Sequence, residues 1–262
     1  MVSTAQITAM FIQTIVSFLI PIVLVIYFVI KKKMKWRSFF MGIVVFIIFS
    51  QILEKAMHLI LIDPSGVRLK FTDNPYIFML YAGLAAGLFE EFGRFIAFKF
   101  WLKKNRSYQD GLSFGIGHAG IEVWLVTTLI GVNTIILAFL VKNGMFDSVV
   151  GKATSEEIAS LMKGQITETP WWLYIVALFE RIPAILLHIS ATLLVLYGVV
   201  TKEIKYVWYA VIYHAFLDFL PALYQAGIIT DVWLIEGSIL AYAIVAVYII
   251  KRMKEKFHAL EK

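Results

Sequence analysis

The chain has 262 residues, of which 60% are hydrophobic and only 16% are charged; its net charge is +6 and it has no cysteine. Soluble domains carry about 25% charged residues, so this composition excludes an ordinary soluble globule. The lack of cysteine excludes disulfides, thiolate metal sites and cysteine nucleophiles, so any metal must be held by His, Asp or Glu. The positive net charge does not point to nucleic acid, because in a membrane protein the placement of Lys and Arg matters more than their sum.

Apolar runs long enough to cross a bilayer recur along the whole length. They predict an all-α, polytopic bundle of about seven transmembrane helices, forming a single integral membrane domain over residues 1–262. The predicted spans are 5–30, 38–62, 76–101, 108–141, 171–200, 205–226 and 231–250, with an outer loop at 142–170. The first span lacks a basic leading region and a small-residue cleavage site, which argues against a cleavable signal peptide. The fourth exceeds what a bilayer needs, so it is expected to tilt, to kink near Gly131 or to continue above the membrane. The outer loop reads as a surface connector, in which Thr154 to Glu157 (T-S-E-E) can cap a short helix. Trp171 and Trp172 follow it, where interface aromatics are expected.

Lys and Arg fix the expected orientation. Sixteen of the 24 fall in the loop 31–37, the stretch 99–106, Lys202, Lys205 and the tail from Lys251, whereas five fall in the alternate loops. The basic side is the cytoplasmic one, so the N-terminus is expected outside and the C-terminus inside.

Charged groups within a span are costly and mark functional candidates. The third span holds Glu90, Glu91 and Arg94; the fourth His118 and Glu122; the fifth Glu180, Arg181 and His188; the sixth His214 and Asp218. Measured from the cytoplasmic end of each helix, Glu90, His118, His188 and His214 sit at one depth of about 13–18 Å, at ~1.5 Å per residue. Arg94 is spaced to meet either glutamate on one helix surface. His118 with Glu122, and His214 with Asp218, repeat the four-residue spacing that lets a carboxylate orient an imidazole. His118, His188 and His214 with a carboxylate would suit a divalent metal such as zinc. Equally, a desolvated glutamate beside histidines would serve as a general base for water. Glu54 and His58 lie near the outer end of the second span, as does Glu236 in the seventh, and an interfacial or structural role is expected there. No small-xxx-small face stands out as a dimer contact.

Three motifs in order, E-E-F-G-R (Glu90 to Arg94), F-G-I-G-H (Phe114 to His118) and H-A-F-L-D (His214 to Asp218), resemble those of the glutamate-type intramembrane proteases. That group includes the CAAX prenyl endopeptidases and their bacterial CPBP relatives. The fuller pattern, G-I-G-H-A-G-I-E and E-R-I-P-A-I-L-L-H, is similar to the bacterial YhfC branch of intramembrane metalloproteases. The resemblance covers roughly residues 80–220. It implies a protease of the bacterial plasma membrane that hydrolyses a peptide bond in the cytoplasmic half of the bilayer, acting on a peptide or membrane-protein substrate. It implies that Glu90 activates water with help from His118, and that Arg94 positions Glu90 and Glu91. His214 and Asp218 would complete metal ligation or stabilise the oxyanion. Glu122, Glu180, Arg181 and His188 lie outside its core motifs and are taken as secondary or branch-specific. Zinc is the implied cofactor, beside a metal-free glutamate mechanism argued for the prenyl endopeptidases. The arginine follows the second glutamate by three positions here rather than four, a displacement of about 100° around the helix, closer to the E-E-x-x-K spacing of PrsW-type proteases. Two other function classes remain on these residues: a non-catalytic scaffold, as the Aph subunit of gamma-secretase is, and a proton-coupled transporter.

Overall fold

The structure is a computed structural model that describes residues 2–260; it is 82% helical and has no strands among them. Ten helices are used below. They are α1 (Thr4–Ile30), α2 (Trp36–Leu61), α3 (75–101), α4 (Tyr108–Lys142), α5 (Phe146–Val149), α6 (Glu156–Glu168), α7 (Trp171–Phe179), α8 (Arg181–Thr201), α9 (Lys205–Gln225) and α10 (Val232–Leu260). Among the described residues, six stretches are long and apolar enough to cross a membrane: α1, α2, α4, α7 with α8, α9 and α10. α3 is of similar length but carries Glu90, Glu91 and Arg94. The result is the polytopic helical bundle expected.

Helix starts follow local chemistry. Pro75 opens α3, and the Asn74 side chain accepts a hydrogen bond from the Tyr76 amide at 2.9 Å, so the first turn is both preset and capped. α4 begins with a capping box. Ser107 Oγ accepts from the Asp110 amide at 3.2 Å, and Asp110 Oδ2 accepts from the Ser107 amide at 3.0 Å. The same carboxylate accepts from Ser38 Oγ at 2.6 Å, which ties α2 to α4. α2, α3 and α4 each contain a π-helical stretch, at Phe46–Glu54, Ala97–Trp101 and Val123–Thr128. In α4 the π-helical stretch ends three residues ahead of Gly131. The turn between α7 and α8 falls at Glu180, three residues before Pro183, whose ring cannot continue a regular ladder.

The chain forms two compact units. One consists of residues 2–23 with 122–181, the other of 24–121 with 182–260. In the first, Val2, Ile7 and Met10 of the N-terminal segment meet Ile135 and Ala138 of α4, Phe146 of α5, and Ala159 and Ile166 of α6 in one buried cluster. Gln6 Nε2 donates to the carbonyls of Thr167 and Thr169 at 3.2 and 2.8 Å, answering open acceptors at the end of α6. Ser155 caps α6 at its start, as the T-S-E-E segment foreshadows. The expected connector is thus a folded, packed segment.

The second unit is built on close helix approach. In membranes small residues let backbones come together. A Cβ on Gly87 of α3 would stand 2.7 Å from the Val211 carbonyl of α9, and one on Gly83 would stand 2.5 Å from that of Ala215. On α4 and α2, Gly117 faces the Phe39 carbonyl and Gly42 the Phe114 carbonyl so closely that neither admits a side chain. Outside the helices, the loop between α2 and α3 is tied by Arg68, which reaches Asp63 and Asp73 at 3.5 and 3.0 Å. A hydrogen bond from Ser65, together with the charge of Arg68, holds the Asp63 carboxyl below its usual range.

α10 outruns the span expected for it by ten residues. Met253 and Phe257, four apart on one face, are buried, so the helix continues wherever that stripe finds cover. Phe257 packs against Tyr108 of α4 and Tyr197 of α8, with ring centroids 6.0 and 5.7 Å away. Lys256 donates to the Tyr206 hydroxyl of α9 at 3.0 Å and lies over the Tyr197 ring at 4.9 Å.

Two outcomes are expected from this packing. Gly87→Val forces α3 off α9 and costs about 3 kcal/mol or more, whereas Gly237→Val, with open space around its Cβ, leaves stability within about 0.5 kcal/mol. Thermal unfolding in detergent compares the two, and equal melting temperatures would refute the close-approach account. Phe257→Ala empties a buried ring site and costs about 3 kcal/mol; an unchanged unfolding midpoint would show that the tail is not docked.

Candidate functional site

Two adjacent carboxylates followed by an arginine, all in the last turns of one helix, set the geometry. Glu90 and Glu91 leave α3 about 100° apart, and Arg94 stands one turn on, within reach of both. Its guanidinium spans the pair: Nη2 lies 3.0 Å from Glu90 Oε2, and Nη1 donates to Glu91 Oε1. Arg94 and Glu91 are wholly buried and Glu90 is 5% exposed.

The remaining partners come from three other helices. His118 of α4 places Nε2 2.9 Å from Glu90 Oε2. His188 of α8 places Nδ1 2.9 Å from Arg94 Nη2 and 3.5 Å from Glu90 Oε2. His214 of α9 places Nδ1 2.8 Å from Glu91 Oε1, and its Nε2 is 3.6 Å from Asp218 Oδ2. The rings follow one another, with His118 and His188 centroids 5.1 Å apart and those of His188 and His214 5.4 Å apart. All three histidines are buried. Glu90, His118, His188 and His214, which share one depth in the sequence, therefore share one contact cluster.

The other candidates divide. Asp218 reaches the cluster through His214 and is the most exposed of the group, with 34% of its side chain accessible. Glu122, Glu180 and Arg181 belong to the other unit. There Arg181 pairs with Glu180 at 2.7 Å and donates to Thr127 Oγ1 at 3.2 Å. Glu54 and His58 form a separate chain: His58 Nε2 is 3.3 Å from Glu54 Oε1, and Nδ1 is 2.7 Å from the Tyr81 hydroxyl. Tyr81 carries no signal in the sequence beyond its aromaticity. Phe46 also escapes sequence reasoning; it lies edge-on to His118 with centroids 5.1 Å apart, and it opens the π-helical stretch of α2, a distortion frequent at functional sites.

The electrostatics leave one charge to answer. With neutral imidazoles, two carboxylates face one guanidinium in a water-poor interior, where an unmatched charge costs several kcal/mol. A proton on an imidazole or a divalent cation answers it. His214 makes the same demand locally. Nδ1 donates to Glu91, so Nε2 of the neutral ring is an acceptor, and it faces a second acceptor on Asp218.

The donor chemistry fits a metal. Glu90, His188 and His214 each offer one ligand atom, and these lie within 4.8 Å of one another. Two nitrogens and one oxygen, with a position left for water, make a catalytic zinc set. Donors on one zinc stand at most about 4.2 Å apart, so side-chain adjustments on the order of 1 Å suffice. The contact of His214 with Glu91 is the outer carboxylate that commonly orients a metal-binding imidazole. Of the three histidines expected as ligands, His188 and His214 fall in this set beside Glu90, and Nε2 of His118 lies 2.9 Å from the same Glu90 carboxylate.

The comparisons with known proteins agree in direction. The family model for YhfC intramembrane metalloproteases matches residues 16–239. The chain is 31% identical over 257 residues to the "Uncharacterized membrane protein YhfC" of Bacillus subtilis (strain 168), covering 98% of this chain and 100% of that relative. No solved structure matches. A match over most of the length, including every motif-bearing helix, settles the assignment: the chain belongs to the YhfC intramembrane metalloprotease family.

Proposed function

We propose that this chain is an intramembrane peptidase that hydrolyses a peptide bond of a membrane-embedded substrate in the cytoplasmic half of the bilayer. The observation that carries the reading is the buried cluster of two carboxylates, one guanidinium and three imidazoles drawn from four helices. Ionisable groups inside a membrane are functional-site candidates by default, and the name of the family to which the chain belongs supports the reaction class. The distribution of Lys and Arg supports a cytoplasmic C-terminus.

Glu90, His188 and His214 would hold the metal, which when bound supplies Lewis-acid polarisation of the scissile carbonyl and of water. The chain's own residues do the rest. Glu90 alone of the two glutamates keeps exposed surface. Its Oε2 is engaged by Arg94 and His118, and a second oxygen remains on the same carboxylate. That oxygen takes the proton of the attacking water and later returns it to the leaving nitrogen as the C–N bond breaks. Glu91 is shut away from water and acts through His214, fixing the ring by the 2.8 Å bond to Nδ1. His118 orients Glu90.

Glu90→Gln preserves volume and is expected to lower cleavage by about 10²–10⁴-fold. The assay compares new N-termini in membranes of cells expressing wild type and variant; identical cleavage would remove Glu90 from the mechanism. Detergent-purified wild type supplied with zinc is expected to hold one zinc per chain, lost in His188→Ala and His214→Ala. A folded wild-type protein without zinc would remove the metal from the reading. Glu90→Gln assigns its second role in the same assay: lost metal makes it a ligand, and retained metal with lost cleavage makes it the base alone.

A further inference from the structure

Arg94 occupies the donors that a metal needs. Its Nη2 lies 3.0 Å from Glu90 Oε2 and 2.9 Å from His188 Nδ1, and both residues belong to the set of Glu90, His188 and His214. A guanidinium has donors and no acceptor. Nδ1 of His188 therefore accepts, and the ring hydrogen of the neutral imidazole sits on Nε2. In that arrangement His188 offers no lone pair to a metal. Ligation through Nδ1 requires Nη2 to withdraw. Ligation through Nε2 requires the ring hydrogen on Nδ1, where it would oppose an Arg94 N–H across 2.9 Å. The Arg94–His188 hydrogen bond and a His188–metal bond exclude each other.

We propose, resting on the metal reading above, that Arg94 is a positioning residue that stands in for the cation. It holds Glu90, Glu91 and His188 together while no metal is bound, and it gives up His188 when metal enters. The geometry permits the exchange, because Nη1 stays on Glu91 and the guanidinium can pivot off His188 without leaving the carboxylates. Charge acts in the same direction: a fixed positive group beside the donors repels a divalent ion. Loading is then a replacement of one cation by another, and Arg94 sets the affinity below what the donors alone would give. An arginine that only supported the site would have the opposite effect, since its loss would loosen the donors and weaken binding.

The sign of the effect is the test. Purified full-length protein is titrated with Co²⁺, followed by its visible d–d absorption, and then competed with Zn²⁺. Wild type, Arg94→Gln, and Arg94→Gln combined with His188→Gln are compared, each first shown to be helical and monodisperse. Arg94→Gln is expected to tighten Co²⁺ binding by about tenfold or more, and the added His188→Gln to abolish that gain. Should Arg94→Gln not fold, Arg94→Lys keeps the charge, loses the fork that reaches His188, and is expected to tighten binding by a smaller factor. Wild-type uptake with equal or weaker binding in the Arg94 variants overturns the exchange and leaves the metal reading standing. No uptake by any of the proteins overturns the metal reading itself, and the exchange with it.

Discussion

A single guanidinium, fully buried, organises the interior of this protein. Arg94 touches Glu90, Glu91 and His188 at once, and through the glutamates it is linked to His118 and His214. Without it two adjacent carboxylates would face each other in a medium that cannot solvate them. Arginine suits the task better than lysine, because its planar fork can address two carboxylates while holding a fixed geometry. The three-residue step from Glu91 to Arg94 matters here: it brings one nitrogen to each glutamate, and the nitrogen on Glu90, Nη2, also reaches across to His188 of α8.

The cluster can exist only because the backbones around it come unusually near. α3 lies on α9 through Gly83 and Gly87, and α4 on α2 through Gly117 and Gly42. Glu90 and Glu91 follow Gly87 by one turn, and His118 follows Gly117 directly. The glycines bring the helix axes together, and the long polar side chains then span what little gap remains. Such packing suits a bilayer, where lipid supplies no hydrophobic drive between helices and close contact must hold them. It also keeps bulk water from the carboxylates, which strengthens every interaction among them.

Much of this was legible beforehand. Hydropathy alone marks the apolar helices, and the cost of burying charge singles out Glu90, Glu91, Arg94 and the histidines. Counting depth along each helix groups His188 with the motif residues, although none of the three core motifs contains it. The rest depended on packing. The bond from Arg94 to His188 joins residues 94 positions apart, which no helical spacing encodes. Gly83 and Gly87 have the small-xxx-small spacing of packed membrane helices, but only the partner carbonyls of α9 show which helix they meet. The end of α10 was read as a charged tail because Lys251, Arg252, Lys254 and Lys256 dominate it, and the Met253–Phe257 stripe between them is too short to stand out. Tyr81 joined Glu54 and His58 for the same reason: an aromatic on a helix is unremarkable until its hydroxyl has a neighbour.

The seating of Lys256 and Phe257 has a consequence for how the buried cluster is maintained. Tyr108, Tyr197 and Tyr206 stand on α4, α8 and α9, the helices that carry His118, His188 and His214, and each tyrosine lies eight to ten residues from its histidine. Phe257 and Lys256 grip all three. Lys256 and Phe257 thus complete a brace across helices that precede them in the chain, so the histidine-bearing helices are tied together only once α10 has docked. A chain in which this last stretch of α10 is drawn away by a bound partner would keep every residue of the cluster and lose the tie that aligns them.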